Sequence, residues 1–368
     1  MSRELSPKLL FTVGALAFFG IVFLFTIGRG LLPNEAEYRK DQAWLASNMK
    51  TELPETPLPE IKYPIQGYRI PGIGGFCWLQ SSSGLIKYLE PDIDFDTFVF
   101  YGRPTLFMAN RNELERWGPG LNQIHAFTNF GYTAYHGATN PNWPPQSVYP
   151  DIDPRNFIYF KTMKEQLAFM KRLISAGIIP TINYNGDFST VVGYDQSGLW
   201  IVTESESVVS QVDTEGRNFM TPAVPFDAGY ITYDQFFGRL SKMTNEFFWF
   251  EKTGSRKSED EVFEENKKNA KEAVVNLQKT IDYVRSGGDL LHFTFTLDIP
   301  ATISLSRSLA KRGHSDLANA YLDLAKTYEA VRNTLGPDAG NVDRDSEFVI
   351  NVLTKVEPLL EKISHMWP

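Results

Sequence analysis

Between Ile178 and Thr203 the chain offers three apolar, β-rich runs with almost nothing between them. Ile178-Ile179-Pro180-Thr181-Ile182-Asn183-Tyr184 reads as one strand and Phe188-Ser189-Thr190-Val191-Val192-Gly193-Tyr194 as a second. Asp195-Gln196-Ser197-Gly198 is turn chemistry, and Leu199-Trp200-Ile201-Val202-Thr203 is a third strand. Links this short join antiparallel neighbours, because a parallel pair needs a crossover of about a dozen residues or more. The segment therefore predicts an antiparallel sheet. A helix precedes it from Met163 to Ala176, with Leu167, Met170 and Ile174 on one face and Gly177 as its stop.

Ahead of that sheet lies Ile73-Gly74-Gly75-Phe76-Cys77-Trp78, which holds the only cysteine in the chain. Glycines precede Cys77. Behind it Leu79, Ile86 and Leu89 recur at helical spacing, with small serines between them. A loop ends and a helix begins close to Cys77. A thiol at a helix start meets unpaired N–H groups and the positive end of the dipole, and both favour the thiolate. The plainer reading makes Cys77 a small buried hydrophobe, as free cysteines commonly are. One cysteine allows no internal disulfide and no cysteine-based zinc site. The histidines at 125, 136, 292, 314 and 365 show no ligand spacing, so no metal or cofactor is expected.

Leu9 to Ile27 is nineteen residues without a charge, long enough to cross a bilayer core as a helix. It outruns the apolar part of a secretory leader, and no small-residue cleavage pattern follows it. After a short tail at 1–8, an uncleaved single-pass anchor at 9–27 is expected, with the lipid bilayer as a partner. Arg3 and Lys8 flank one end and Arg29, Arg39 and Lys40 the other, so charge does not set the orientation. A large domain behind a signal-like helix is ordinarily translocated, which puts the soluble part on the extracytoplasmic side. Residues 28–60 read as a juxtamembrane segment and linker. They hold a short helix from Glu35 to Met49 with Trp44 at the bilayer interface, then the proline-spaced, extended run Leu53 to Pro59 acting as a spacer. The net charge of −8 comes without a basic block, so nucleic acid is not an expected partner.

A chain of 368 residues exceeds one compact core, and two folded units are expected, at 61–255 and 256–368. The second is helical. Ser258–Arg285, Asp298–Lys311, Asp316–Leu335 behind Ser315, and Ser346–Ile363 each carry an apolar seam, and four such helices on short links predict a bundle. In the first unit, residues 91–102 read as a turn and a short helix. Gly102 to Pro154 reads as a long loop that carries His125 and His136. Thr232 is the expected N-cap of a short helix, and Asn245 to Phe250 a closing strand.

Taken in order, the cysteine-led helix, the later helix, the buried strand, the strand ending Val-Val-Gly-Tyr-Asp, the turn, the third strand and the I-T-Y-D-Q-F helix form a pattern. It resembles the papain-fold C39-like cysteine peptidases over residues 61–252. Gly75-Phe76-Cys77-Trp78 is also similar to the nucleophile segment of papain, where tryptophan follows the cysteine. The resemblance implies an α+β, papain-like fold with an antiparallel sheet and with Cys77 at the nucleophile position. Asp187 to Asp195 matches the family segment H-x-x-x-x-x-G-Y, whose histidine is the catalytic base. Here that position is Asp187. The family's orienting Asp or Asn falls near Glu204. Its oxyanion-hole glutamine has one counterpart, Gln66, eleven residues upstream of Cys77 and further than the usual gap.

Aspartate is a poor replacement for that base. A reference carboxyl near pKa 3.9 faces a thiol near 8.5, a gap of about 4.6 pH units or roughly 6 kcal/mol against proton transfer. A carboxylate beside Cys77 also disfavours the thiolate, and a helix terminus offsets this by only about 0.3–1 kcal/mol. Two functions follow. One is a membrane-anchored, degenerate peptidase-like domain that binds a peptide or protein or serves as a subunit of a membrane complex. The other is an active peptidase using Cys77 with a relocated base, for which His125 and His136 are the candidates. A test of topology follows as well. In sealed, oriented vesicles, protease is expected to reach residues 61–368 from one face only. Cleavage on the two sides of residue 200 from opposite faces would refute the single-pass anchor.

Overall fold

The computed structural model describes residues 35–55, 57–65, 68, 77–102, 120–139, 152–184, 187–202, 229–240, 246–286, 299–335 and 346–368. The expected anchor Leu9–Ile27 lies outside them, as do Gln66 and Glu204. Among the described residues, no helix is long and apolar enough to cross a membrane.

The helices are α1 (Glu35–Asn48), α2 (Cys77–Leu89), α3 (Phe95–Tyr101), α4 (Gly120–Asn129), α5 (Met163–Ser175), α6 (Tyr233–Leu240), α7 (Glu259–Arg285), α8 (Ile299–Lys311), α9 (Ser315–Leu335) and α10 (Ser346–Met366). The strands are β1 (Tyr132–Ala138), β2 (Phe157–Tyr159), β3 (Thr181–Tyr184), β4 (Asp187–Tyr194), β5 (Gly198–Val202), β6 (Gly229–Thr232) and β7 (Glu246–Lys252). The architecture is α+β. Local chemistry sets many of the boundaries. Thr162 caps α5 by accepting from the Glu165 amide, and Gly177 with φ of 82° ends that turn in the left-handed region. Ser258 and Glu261 form a reciprocal capping box on α7. Thr232 caps α6 as expected, with the Gln235 amide donating to its hydroxyl at 3.2 Å.

Among the described residues, the strands form a single seven-stranded sheet in the order β2-β1-β7-β3-β4-β5-β6. The β3-β4-β5 meander is antiparallel, as the short links require. The sheet as a whole is mixed, since β2 joins β1 in parallel at its edge. That corrects the expectation of a purely antiparallel sheet. The connection from β1 to β2 is long enough to return the chain to the same end. A second correction concerns 102–154, read as one long loop. It contains α4 and β1. Strand β1 is buried on both faces, so Tyr-Thr-Ala-Tyr-His-Gly-Ala lacks the polar–apolar alternation that marks a half-exposed strand.

Pairing aligns Phe157, His136, Phe248, Thr181, Thr190 and Val202 in one row across six strands. This row lies on the face covered by α2, α4 and the C-terminal helices, where Phe188, Val192, Phe248 and Phe250 join one core. The opposite face carries Phe247, Trp249, Ile182 and Val191, packed against α5 and α1. Helices α7–α10 do not form a separate core. Leu277, Leu309, Leu324 and Val356 belong to the same apolar cluster as Phe100, Phe130 and Phe248.

The 28–60 stretch also departs from its reading as a spacer. Helix α1 forms as expected, but Leu45 is buried against the sheet, and Trp44, Met49 and Leu53 pack on the same core. The chain then straps across β7, with the Thr51 amide donating to the Glu251 carboxylate and Lys50 Nζ donating to the Thr253 carbonyl at 2.5 Å. Farther on, residues 62–65 pair with the end of β4 through Lys62, Tyr194, Ile65 and Val192. Gly193 makes this crossing feasible. A Cβ there would lie 2.7 Å from the Lys62 carbonyl oxygen and 2.9 Å from Pro64 N, both backbone atoms. Gly193→Ala is therefore expected to destabilise the fold by about 1–3 kcal/mol, read from urea unfolding. An unchanged midpoint would mean that the crossing is not tight.

Candidate functional site

The corner where α2 starts and β4 starts is the candidate site. Cys77 is the first residue of α2 and Asp187 the first of β4. Three hydrogen-bonding contacts seat the helix on the strand. Ser81 Oγ donates to the Phe188 carbonyl at 2.5 Å. The Tyr68 hydroxyl lies 2.9 Å from Thr190 Oγ1 and 3.3 Å from the Ser81 carbonyl. Tyr68 is buried, and desolvation pushes its phenol above the ordinary range, so it stays a neutral donor. Ser81, Ser82 and Ser83 are all buried. Their small side chains let the helix backbone come close to the sheet. Helical spacing sets these serines between the apolar positions, and in the structure they form the contact, with Leu85 and Ile86 continuing it.

The direction of α2 follows from its two ends. Ser81 sits over the Phe188 end of β4. At the other end, Glu90 accepts from the Tyr132 hydroxyl at 2.9 Å and from Lys252 Nζ at 2.6 Å, where β1 starts and β7 ends. Cys77 lies four residues before Ser81, about 6 Å of helix rise. The start of α2 therefore projects toward the same end of the sheet as the β3–β4 hairpin, where Asp187 pairs with Tyr184. The first residues of α2 and β4 thus lie toward the same end of the sheet. On β4 the residues in the core beneath α2 are Phe188 and Val192, with Thr190 between them bonded to Tyr68.

The two histidines of the 102–154 stretch, the candidates for a relocated base, are each held in a pairing with a glutamate. His136 is fully buried in β1, with Nε2 3.1 Å from Glu246 Oε2. It packs between Phe157 and Phe248 at ring separations of 5.3 and 4.9 Å. Three strand spacings separate β1 from β4, about 14 Å. His125 is buried on α4, where its Nε2 lies 3.0 Å from Asn129 Nδ2 and 3.4 Å from Glu265 Oε2 of α7. Glu246 and Glu265 were not singled out from the sequence. Each partners a histidine more than a hundred residues away in the chain.

Among the described residues, no group of three or more His, Cys, Asp or Glu side chains is placed to hold a metal ion. No protein-family model matches the chain, and no curated protein matches it.

The Glu265 carboxyl is held down at about 2, first by its hydrogen bond to His125 and then, against desolvation, by Lys257. Its folded value lies below the free value of 4.5, so its contribution to stability is complete above that pH and is lost as pH falls through about 2. Glu265→Gln is therefore expected to be less stable than the wild type near neutrality. The gap should close as acid is added, read as unfolding midpoints across the acid range. A gap that stays constant down to about pH 2 would show that the pairing does not contribute.

Proposed function

We propose that this chain is a membrane-anchored papain-like domain of the C39-like kind, with a degenerate catalytic site, that binds a peptide or protein instead of cleaving it. The observation that carries this reading is the seating of α2 on β4. Helix α2 opens with Cys77 and lies on β4, whose first residue is Asp187. In the C39-like pattern those positions hold the nucleophile and the base. The order of elements supports the assignment, and so does the Gly193–Tyr194 pair, whose glycine is required by a backbone crossing. An aspartate at the base position cannot relay the thiol proton at neutral pH, for the roughly 6 kcal/mol reason given above. The bilayer partner rests on the uncharged run Leu9–Ile27, and the extracytoplasmic placement on ordinary translocation of a domain behind such a run.

The rival reading, an active peptidase with a relocated base, needs a histidine at that corner. His125 and His136 are each buried in a pairing with a glutamate elsewhere, which weighs against both.

Cys77 is the only thiol, so alkylation of the full-length chain in detergent reads this one residue. Its rate is expected to rise with pH through a midpoint at or above about 8.5. Asp187→Asn should lower that midpoint by removing a carboxylate, and Asp187→His should lower it further. In the histidine variant, cleavage of an unstructured peptide is the gain to look for, with Glu204 as the residue to orient the new imidazole. A wild-type midpoint well below about 7 would replace this reading with the active peptidase.

A further inference from the structure

The chain enters the folded body at the start of α1, and contacts fix the direction of that helix. Near its start, Lys161 Nζ sits 5.5 Å over the Tyr38 ring, just past the end of β2. Further along, Arg155 lies 5.7 Å over the Trp44 ring, just before β2 begins. Helix α1 therefore runs antiparallel to β2. Lys50 and Thr51 behind it reach Thr253 and Glu251, where β7 ends.

Register carries this direction across the sheet. Strand β2 runs parallel to β1, and Ala138 at the end of β1 pairs with Glu246 at the start of β7. Phe247 pairs with Ile182, and Tyr184 with Asp187. The start of α1 thus lies at the end of the sheet where β4 and α2 also start. Twist of about 20–25° per strand turns the start of β4 sideways relative to β1 but keeps it in the same half of the body. The far end holds Tyr132, Lys252 and Glu90, followed by Asp92.

Resting on the membrane-anchored reading above, we propose that the tether holds the candidate-site end of the sheet toward the bilayer, so that the ligand is a chain segment lying at the headgroup surface. Seven residues, Gly28 to Asn34, join the uncharged run Leu9–Ile27 to Glu35. Fully extended, they reach at most about 25–30 Å. Helix α1 has 14 residues and is about 20 Å long, and the burial of Leu45 makes it turn with the body. A body with its far end on the bilayer would raise Glu35 by about 20 Å or more. The tether would then be drawn nearly straight, at a cost in chain entropy. With the start of α1 toward the bilayer, the tether keeps its slack. The gap beneath is also narrow. A globular domain of about 100 residues, with a radius of gyration of about 13 Å, is more than about 30 Å across and does not fit there, whereas a single chain segment does.

The experiment is energy transfer from one labelled cysteine to acceptor dyes on the headgroups of phosphatidylcholine vesicles that carry the full-length chain. Three chains are compared. One is the wild type labelled at Cys77. The others, on a Cys77→Ser background, are Lys164→Cys in the first turn of α5 and Asp92→Cys at the far end, both exposed positions. The 13 residues of α2 set its two ends about 20 Å apart, so transfer from Cys77 and from Lys164→Cys should exceed that from Asp92→Cys about twofold or more. Inserting about 20 Gly and Ser residues after Leu32 should bring the three signals together. A polymer-coupled maleimide, compared with N-ethylmaleimide, should label Cys77 relatively faster in that extended chain. Flotation with the vesicles reads the anchor separately. A chain that does not float overturns the anchor and this orientation with it. A chain that floats but gives equal transfer from all three positions, or most from Asp92→Cys, overturns the orientation alone, as does an insertion that changes neither transfer nor labelling. If Cys77 resists labelling, the contrast between Lys164→Cys and Asp92→Cys decides.

Discussion

Strand β7 has no face it can show to water. Glu246-Phe247-Phe248-Trp249-Phe250-Glu251 is buried throughout, with Phe247 and Trp249 on one side and Phe248 and Phe250 on the other. Each of these rings is worth about 1.5–3 kcal/mol when removed from water. A strand of this kind must lie inside a sheet and between two layers, and the molecule is arranged around that requirement. Helices α5 and α1 cover one face. Helices α2 and α4, backed by α7–α10, cover the other. The two carboxylates that end this run are each turned to a purpose. Glu246 meets His136, and Glu251 receives the Thr51 amide of the strap behind α1.

Double burial also decides the form of the candidate site. The helix that starts at Cys77 lies on the sheet through serines and a tyrosine hydroxyl, so it is held by directional contacts as well as by apolar packing. Directional contacts fix rotation and height more tightly than a greasy interface does. Helix α2 consequently has a defined path from the Phe188 edge to the Glu90–Lys252 pair. The same face is otherwise filled with phenylalanine, and His136 is taken up there with Glu246 as its partner.

Much of this was legible in the chain. Short links between strongly apolar runs left β3-β4-β5 one way to pair, and Thr232 and Gly177 marked helix ends through their own hydrogen bonding and backbone freedom. The helix beginning at Cys77 followed from glycines giving way to a periodic run. Other features were hidden because burial on both sides removes the pattern that reveals a strand. Strand β1 passed for loop on that account. Helix α1 suggested a tether because its composition is polar, and only the burial of Leu45 shows that it belongs to the folded body. Ser81–Ser83 passed for spacers because small polar residues look like surface until something lies close above them.

By itself, then, the sequence determined the local elements, many of their ends, and the chemistry available at two positions: a single thiol at Cys77 and a carboxylate at Asp187. Only the tertiary structure decided that β2 joins in parallel, that α1 packs on the sheet, that α7–α10 share its core, and that His125 and His136 are bound to Glu265 and Glu246. The reason is physical. Helix caps, turns and periodicity are interactions among residues a few positions apart, and these are written in the order of the chain. Strand neighbours, layer contacts and buried ion partners join residues a hundred or more positions apart, and they are chosen by which arrangement of the whole chain leaves the least apolar surface and the fewest unpaired polar groups exposed to the wrong environment.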